Sequence, residues 1–395
     1  MEFQLKALIL KALILKALIL KRLSLKALNL KALNLKTLTL NALCLKPLSP
    51  SVGKNNELVR HGQALHSQLV NQTFSSVISS LNAHALSVLL LCLFLSGCAS
   101  QNCGNSPVNH WSNQSQLLED IRVLSSPKFE GRRTGTYGAE LSREYIKQRF
   151  TELNLTPWQD EFEVPFNYRS NFSDKQGINL IATIKASNNS QRWRVITAHY
   201  DHLGKKGNKV FAGADDNASG VAAMLAIAEQ WQQQENDNIN LMIVATDAEE
   251  PGLYGSYALV EQLTSTPDMQ LEMSLNLDMI GNPSRPHAIY IEGEKNLSEF
   301  SQLKTQLQDY NQLCIRQSRS RMKNGSMVKI DWLRASDHYP FHKMGIPWLY
   351  LGVPTHKQYH TINDTIDTIN IGFLAAVTET AFELVSVNKQ QIAFQ

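Results

Sequence analysis

Apolar runs of strand length alternate with helix-like runs along the chain from Trp111 onward. The strand-like runs are apolar on both faces, as expected for strands covered by helices on each side of a sheet. They lie at residues 161–166, 178–185, 192–199, 239–246, 273–280, 287–293 and 347–353, and the helix-like runs lie at 220–233, 256–263, 296–310 and from 371 onward. We therefore predict one α/β domain over residues 111–395, a three-layer sandwich with a mostly parallel central sheet flanked by helices.

A five-residue repeat occupies the first 48 residues, with a lysine at every fifth position from Lys6 to Lys36. This period matches neither the helix nor the strand, so no continuous apolar face forms. The lysines also exclude a membrane span, because each costs about 2.5–3.5 kcal/mol at the bilayer centre. We predict that residues 1–70 are a low-complexity leader and not a folded domain. Three readings stay open: a basic membrane-surface helix, a small repeat module, or a repeat tract translated from upstream of the true start.

Residues 85–95 form an apolar run of signal-peptide length, followed at once by Ser96, Gly97 and Cys98. This arrangement resembles the bacterial lipobox, in which the cysteine is lipidated. The resemblance implies a lipoprotein signal over residues 71–98 and a membrane contact made only through a lipid anchor at Cys98. Ala99 in the next position implies export to the outer membrane of a Gram-negative bacterium, with the protein facing the periplasm. The alternative reading of the apolar run is a buried core helix.

Residues 99–110 are polar and are predicted to be a tether between Cys98 and the domain. Cys103 and Cys314 could pair in an oxidising compartment, and the sequence leaves this open. Residues 98–395 carry a net charge of −6, whereas residues 1–97 carry +9. The acidic balance of the second part argues against nucleic acid as a partner.

Ionisable residues recur where the apolar strands end, at the sheet edge where ligand crevices form in α/β proteins. His199 and Asp201 are two positions apart on an extended segment, so Asp201 can accept the spare imidazole N–H and orient His199 towards a metal. The acids at 247–250 also follow a strand, and burying adjacent carboxylates without a cation is costly. Similar signals come from Asp215 and Asp216 before a helix, from Asp278 in an apolar run and from His360 in a polar loop.

Each of these signals has an ordinary structural explanation when taken alone. A histidine after a strand can be a satisfied surface residue, acids before a helix favour its N-terminus, and loop acids are commonly solvated. Together, however, they supply nitrogen and oxygen donors without thiolate, a set that suits zinc and also admits manganese or cobalt. Two histidines and three carboxylates exceed the needs of one tetrahedral ion. They suffice for two ions if one carboxylate bridges them.

The same residues lie in blocks whose order and spacing resemble zinc peptidase family 28, the co-catalytic aminopeptidases and their relatives. The resemblance runs from about Ser115 to Asn388. The blocks are FEGRRTGTYGAELSREYIKQRF (129–150), AHYDHLG (198–204), GADDNASG (213–220), DAEEPGLYGS (247–256), NLDMIG (276–281), SDHYPFHKMGIP (336–347) and YHTINDT (359–365).

The resemblance implies an aminopeptidase that binds two zinc ions and removes residues from peptides with a free N-terminus. It implies that Asp216 bridges the ions, and that Glu249 is the general base for a zinc-activated water. By position, Asp201 corresponds to the orienting carboxylate. The remaining metal ligands would be His199 and Asp278 on one ion, and Glu250 and His360 on the other. Asp337 and His338 lie near the site in the family and stay outside this ligand set.

Three other activities are compatible with the scaffold. Deacylases and carboxypeptidases with similar ligands usually carry an inserted dimerisation domain, and the 82 positions from Asp278 to His360 leave little room for one. Glutaminyl-cyclase-like acyl transfer uses a single zinc, whereas the retention of His199 favours two. A non-catalytic binding module, as in the transferrin receptor, would have lost ligands that this sequence retains.

Overall fold

The computed structural model describes residues 106–388, apart from residues 235–237, 284, 318–320, 324–325 and 329–330, and it describes no side chains over 321–330. The predicted leader, the predicted signal segment with Cys98, and Cys103 therefore lie outside the described residues, as does the first part of the predicted tether. None of the described helices has the length and apolar character needed to cross a bilayer.

Within the described residues, nine strands form one sheet and two short hairpins lie apart from it. The sheet strands are β1 (Thr156–Pro157), β2 (Glu163–Ser170), β3 (Ser173–Ile184), β4 (Arg192–His199), β7 (Asn240–Thr246), β8 (Gln270–Leu277), β9 (Ala288–Glu292), β10 (Cys314–Gln317) and β13 (Trp348–Gly352). The hairpins are β5 (Lys205–Lys206) with β6 (Lys209–Val210), and β11 (Arg321–Lys323) with β12 (Ser326–Val328).

The order of the sheet is β1-β3-β7-β4-β8-β13-β9-β10, with β2 paired to β3. Its four central strands, β7, β4, β8 and β13, are mutually parallel. The flanks are mixed, because β3 is antiparallel to β7 and β9 is antiparallel to β13, whereas β10 is parallel to β9. The predicted α/β fold is confirmed, and its parallel character is concentrated in the centre of the sheet.

Helices cover both faces of the sheet. The described helices are α1 (Gln114–Leu124), α2 (Tyr137–Glu152), α3 (Gly220–Gln232), α4 (Tyr254–Ser265), α5 (Phe300–Asn311), α6 (His338–Lys343) and α7 (Ile371–Val385). Helices α1, α2, α3, α5 and α7 contribute to one hydrophobic core, and α4 and α6 contribute to the other. Successive residues of β4 face opposite cores, Val195 towards α4 and α6 and Ile196 towards α3, which explains why the strand is apolar throughout.

The parallel strands all end at one edge of the sheet. His199 is the last residue of β4, and its register partner Thr246 is the last residue of β7. Asp278 follows the last residue of β8, and the acids that begin with Asp247 follow β7. Because parallel neighbours present their carboxyl ends together, residues distant in sequence meet at this edge.

The segment before α1 is bound to the domain by Glu379 of α7. The fully buried Glu379 carboxylate accepts hydrogen bonds from the main-chain N–H groups of His110, Trp111 and Ser112 at 2.7–2.9 Å. Its other oxygen accepts from Asn311 at 2.9 Å. The described end of the predicted tether thus already contacts the domain. Cys314, three residues after Asn311, is disulfide-bonded.

Replacement of Glu379 by alanine should destabilise the domain strongly. The change leaves the buried N–H groups of Ser112 and Asn311, and two partly buried ones, without this acceptor, so we expect the free energy of unfolding to fall by about 3 kcal/mol or more. Denaturant unfolding of purified protein measures this. The half-buried Glu383 on the same helix is the matched control, and Glu383→Ala should cost less than about 1 kcal/mol. Equal losses in both variants would contradict the anchoring role of Glu379.

Candidate metal centre

The segment before α3 carries Asp216 into the centre of the sheet edge. Gly213 begins the turn with a φ of 59°, and the peptide bond between Asp216 and Asn217 is cis. The Asn217 side chain donates to the Leu277 carbonyl at 2.8 Å and accepts from the Gly220 N–H at 3.0 Å. A Cβ at Gly220 would lie 2.4 Å from that same carbonyl, so only glycine lets the helix start so close to β8.

The two carboxylate oxygens of Asp216 face two different imidazoles. Asp216 Oδ1 lies 3.4 Å from Nε2 of His199, and that nitrogen lies 3.3 Å from Oδ1 of Asp278. Asp216 Oδ2 lies 3.2 Å from Nε2 of His360, which also lies 3.2 Å from Oε2 of Glu250. The structure therefore brings together the five sequence-predicted ligands as two groups that share Asp216.

These separations fit zinc. A tetrahedral zinc ion with bonds of about 2.0–2.1 Å separates its ligand atoms by about 3.3–3.4 Å. The distances of 3.2–3.4 Å within each group agree with this spacing. His199, Asp216 and Asp278 are also buried, so their donor atoms are already withdrawn from bulk water.

Asp201 orients His199 through its main chain and not through its carboxylate. The His199 Nδ1 atom lies 3.1 Å from the Asp201 carbonyl oxygen, whereas the carboxylate oxygen is 3.8 Å away. Because a carbonyl only accepts, Nδ1 carries the proton and Nε2 is left to face Asp216 and Asp278. This corrects the predicted side-chain contact. The Asp201 carboxylate instead accepts from the main-chain N–H groups of Glu249 at 3.0 Å and Glu250 at 3.4 Å.

The three acids of the 247–250 run have different environments. Asp247 points away from the two groups, because its oxygens accept from the Thr134 hydroxyl at 2.8 Å and the Ile178 N–H at 3.0 Å. Glu249 and Glu250 both line the cleft that contains His199 and His360. Only Glu250 lies within the ligand groups, which leaves the Glu249 carboxyl group free for proton transfer.

His202 was not among the ligands predicted from the sequence. Its Nδ1 atom donates to Glu250 Oε1 at 2.7 Å and lies 3.8 Å from Asp216 Oδ2. The other oxygen of Glu250 faces His360, so His202 holds the Glu250 carboxylate on the side away from His360. The His202 ring is also an alternative nitrogen ligand for the second group. The only signal for it in the sequence is its place three residues after His199.

Opposite charges set the protonation of the metal-free site. Burial would lower the pKa of His360, but its hydrogen bonds to Asp216 and Glu250 raise that pKa to about 10. Burial would raise the pKa of Asp216, but the surrounding histidines hold it well below its usual value. Burial raises the pKa of Glu249 well above its usual value, and although His199 opposes this shift, Asp278 and Asp337 reinforce it. Without metal, the positive charges of the protonated imidazoles therefore balance the carboxylates. Bound divalent cations would balance the same carboxylates.

A cleft with aromatic walls opens beside both groups. Tyr350, Trp332 and Tyr359 line this cleft. The Tyr359 ring stacks on the His360 ring, with the ring centroids 3.8 Å apart. Asp337 lies behind the cleft, fully buried, and accepts a hydrogen bond from Thr246. His338 turns away from the cleft, with Nε2 2.9 Å from the Trp332 carbonyl. An acidic centre bordered by apolar walls can bind a small cationic group together with an apolar side chain.

An α/β sandwich with this donor set at its sheet edge is the arrangement of a metalloenzyme. The sequence profile of Peptidase family M28 matches residues 179–385, which is more than half of the chain. The chain therefore belongs to Peptidase family M28.

Curated relatives include two kinds of protein. Aminopeptidase YwaD of Bacillus subtilis is 29% identical over 238 residues, which cover 55% of this chain and 47% of YwaD. The match thus spans about half the length of that relative. The glutaminyl-peptide cyclotransferase of Boiga irregularis is 26% identical over 275 residues, which cover 60% of this chain and 72% of the cyclotransferase.

Solved structures of both kinds share the fold. BSAP, a zinc aminopeptidase from Bacillus subtilis, superposes with a TM-score of 0.55 at 17% identity, covering 72% of this chain and 99% of BSAP. Glutaminyl cyclase from Porphyromonas gingivalis gives a TM-score of 0.54 at 19% identity, covering 69% of this chain and 98% of the cyclase. At these identities the likeness establishes the fold alone.

Zinc binding to the metal-free protein should release protons near neutral pH. His360 is protonated there because its pKa is about 10, and a metal ligand must be the neutral imidazole. Zinc affinity should therefore rise as the pH increases towards that pKa and fall on acidification. Titration calorimetry in buffers of different ionisation enthalpy counts the protons released, and His360→Gln should release about one fewer. A binding enthalpy that does not depend on the buffer would contradict this protonation state.

Proposed function

We propose that the protein is a zinc-dependent aminopeptidase that hydrolyses N-terminal residues from peptides. The observation that carries the proposal is the position of Asp216, with one oxygen facing each imidazole–carboxylate pair and Glu249 in the same cleft. The similarity to aminopeptidase YwaD and the fold shared with a zinc aminopeptidase support it.

Two zinc ions per chain form part of this proposal. Asp216 offers a separate oxygen to each group, so each group keeps one imidazole and one further carboxylate of its own. The donors are nitrogen and oxygen only, which also admits manganese or cobalt. Zinc held by these residues would polarise the scissile carbonyl and lower the pKa of a bound water.

The residues of the chain supply the proton transfers. Glu249 accepts a proton from the attacking water while the water oxygen bonds to the carbonyl carbon. The same carboxyl group then protonates the amine nitrogen as the carbon–nitrogen bond breaks. The Asp201 carboxylate holds the main chain of Glu249 at 3.0 Å and so fixes the position of this base.

A free N-terminus suits this cleft. Glu249 lines the cleft and belongs to neither ligand group, so its carboxylate can accept a hydrogen bond from a substrate α-amino group, and zinc held by the other carboxylates would ligate that amine in its neutral form. A blocked N-terminus cannot bind in this way and adds bulk. Recognition of the terminal amine thus explains removal of the first residue.

An exported location is also proposed. The disulfide of Cys314 supports it, because disulfides persist in oxidising compartments such as the periplasm. The lipid anchor proposed at Cys98 would place the enzyme at the outer membrane, with short peptides as substrates.

Cyclisation of N-terminal glutamine is the second candidate function. The similarity to glutaminyl-peptide cyclotransferases, over 72% of the Boiga irregularis protein, is the observation that favours it. In that reaction the substrate's own α-amine attacks the side-chain amide and releases ammonia, so no water is consumed. A glutaminyl peptide distinguishes the activities, because hydrolysis yields free glutamine and cyclisation yields pyroglutamyl peptide.

Purified full-length protein should cleave unblocked aminoacyl-p-nitroanilides and lose this activity on treatment with a chelator. N-blocked versions of the same compounds should stay intact, because they lack the free α-amine. Release of p-nitroaniline measures both, and added zinc should restore the chelated enzyme. Cleavage of blocked substrates would refute exopeptidase action, and formation of pyroglutamyl peptide without hydrolysis would establish the second candidate.

Glu249→Gln should retain zinc but lose at least about 10²–10⁴-fold in kcat, because the amide cannot accept the water proton. Metal analysis after dialysis and steady-state kinetics measure the two properties separately. Glu261→Gln, an exposed position on α4, is the matched control and should leave both unchanged. Wild-type kcat in Glu249→Gln would remove Glu249 from the mechanism.

A further inference from the structure

Arg132 is a fully buried cation whose guanidinium group contacts main-chain carbonyls. Its five N–H groups, the full donor set of arginine, are all used. They donate to the carbonyl oxygens of Leu124 (2.8 Å), Tyr200 (2.8 Å), Ala212 (2.6 Å), Gly213 (2.8 Å) and Asp216 (3.4 Å). Arg132 belongs to the block FEGRRTGT, to which the proposed chemistry assigns no role.

Four of the five acceptors of Arg132 lie on the two segments that carry the central ligands, and the fifth, Leu124, ends α1. Tyr200 directly follows His199, and the Arg132 carbonyl oxygen accepts from the His202 N–H at 3.4 Å. Three further acceptors run from Ala212 to Asp216 itself. One side chain therefore connects the end of β4 to the turn that presents Asp216.

The main chain around Arg132 adopts an unfavourable conformation to reach this position. Glu130, Gly131 and Arg132 all have positive φ angles, of 50°, 70° and 52°. A Cβ at Gly131 would lie 2.4 Å from the carbonyl oxygens of both Gly204 and Phe211. The turn therefore packs tightly against the chain at Gly204 and Phe211. Residues other than glycine rarely adopt positive φ, and they do so where surrounding contacts compensate for the cost.

Asp364 fixes the same turn from the opposite side. Its carboxylate oxygens accept from the main-chain N–H groups of Asp215 at 3.0 Å and Asp216 at 3.1 Å. The N–H of Asp216 is thus bound by a buried acid, while its C=O is bound by a buried base. Burial lowers the pKa of Arg132 to about 10, although Asp216 and Asp364 oppose the shift, so its positive charge persists at neutral pH.

We propose that Arg132 and Asp364, here called the Asp216 clamp, are positioning residues that hold the Asp216 carboxylate in its metal-bridging position before metal binds. A shared ligand must place two oxygens correctly at once, so fixing its main chain at both N–H and C=O reduces the reorganisation that metal binding would otherwise require. The inference rests on the proposed metal centre but not on peptidase activity.

Arg132→Lys tests the clamp. Lysine keeps the charge but has three N–H groups on one nitrogen, so it cannot reach five carbonyls on separate segments. We expect zinc affinity, measured on metal-stripped full-length protein by competition with a chromogenic chelator, to fall by about 10–100-fold.

Arg194→Lys is the matched control. Arg194 is also fully buried, but it lies near the opposite end of β4 and contacts Glu272 and the Val385 carbonyl. Arg194→Lys should lower the thermal midpoint of the metal-free protein yet leave zinc affinity within about threefold, since it touches no ligand segment. If Arg132→Lys binds zinc as tightly as Arg194→Lys does, the clamp proposal is wrong.

Asp364→Asn provides a second test should Arg132→Lys not fold. The amide keeps the shape of the side chain, but its NH₂ group cannot accept from a main-chain N–H. Zinc affinity should fall in the same direction, and wild-type affinity in this variant would by itself overturn the proposal. Because zinc binding is measured directly, an absence of peptidase turnover in the wild-type protein would refute the proposed function and leave the clamp test intact.

Discussion

The shared carboxylate of Asp216 is the contact on which the rest of the site depends. It lies between Nε2 of His199 and Nε2 of His360, at 3.4 and 3.2 Å, and each imidazole has a further carboxylate of its own. Several acids buried this closely repel one another and lose hydration, so the arrangement requires positive charge among them. In the metal-free protein the imidazolium protons supply part of that charge, and divalent cations would supply it more effectively.

The fold explains how residues so far apart in sequence reach one place. Four parallel strands end at one edge of the sheet. His199, the 247–250 acids and Asp278 lie at or directly after the ends of three of these strands. His360 comes from the loop after β13, the fourth strand. Asp216 comes from a turn without a strand of its own, which is why it needs support from Asn217, Arg132 and Asp364.

Much of this could be predicted from the sequence, because strands buried on both faces are apolar throughout and ionisable residues at their ends stand out. Strand β4 was predicted with its observed bounds. Helix α2 was not, because it buries Ile146 and Phe150 within an otherwise charged segment and lacks a long apolar run. The mixed flanks of the sheet were not predicted either, since strand direction depends on pairing between distant segments.

The contacts between side chains at the site were harder to predict than the identity of the residues that form it. Spacing on an extended strand predicted that the Asp201 carboxylate would contact His199, but Asp201 lies beyond the end of β4 and presents its carbonyl instead. No pattern indicated that the ring of His202 turns inward. Arg132 binds main-chain carbonyls, which every residue possesses. The residue types at the partner positions therefore give no sign of these contacts.

Anomalous diffraction at the zinc edge from crystals of the zinc-loaded protein would locate the ions relative to Asp216. We expect two peaks about 3.5–4 Å apart, one beside each oxygen of Asp216. The first would be next to His199 and Asp278, and the second next to His360 and Glu250. A single peak, or peaks that do not contact Asp216, would contradict this expectation.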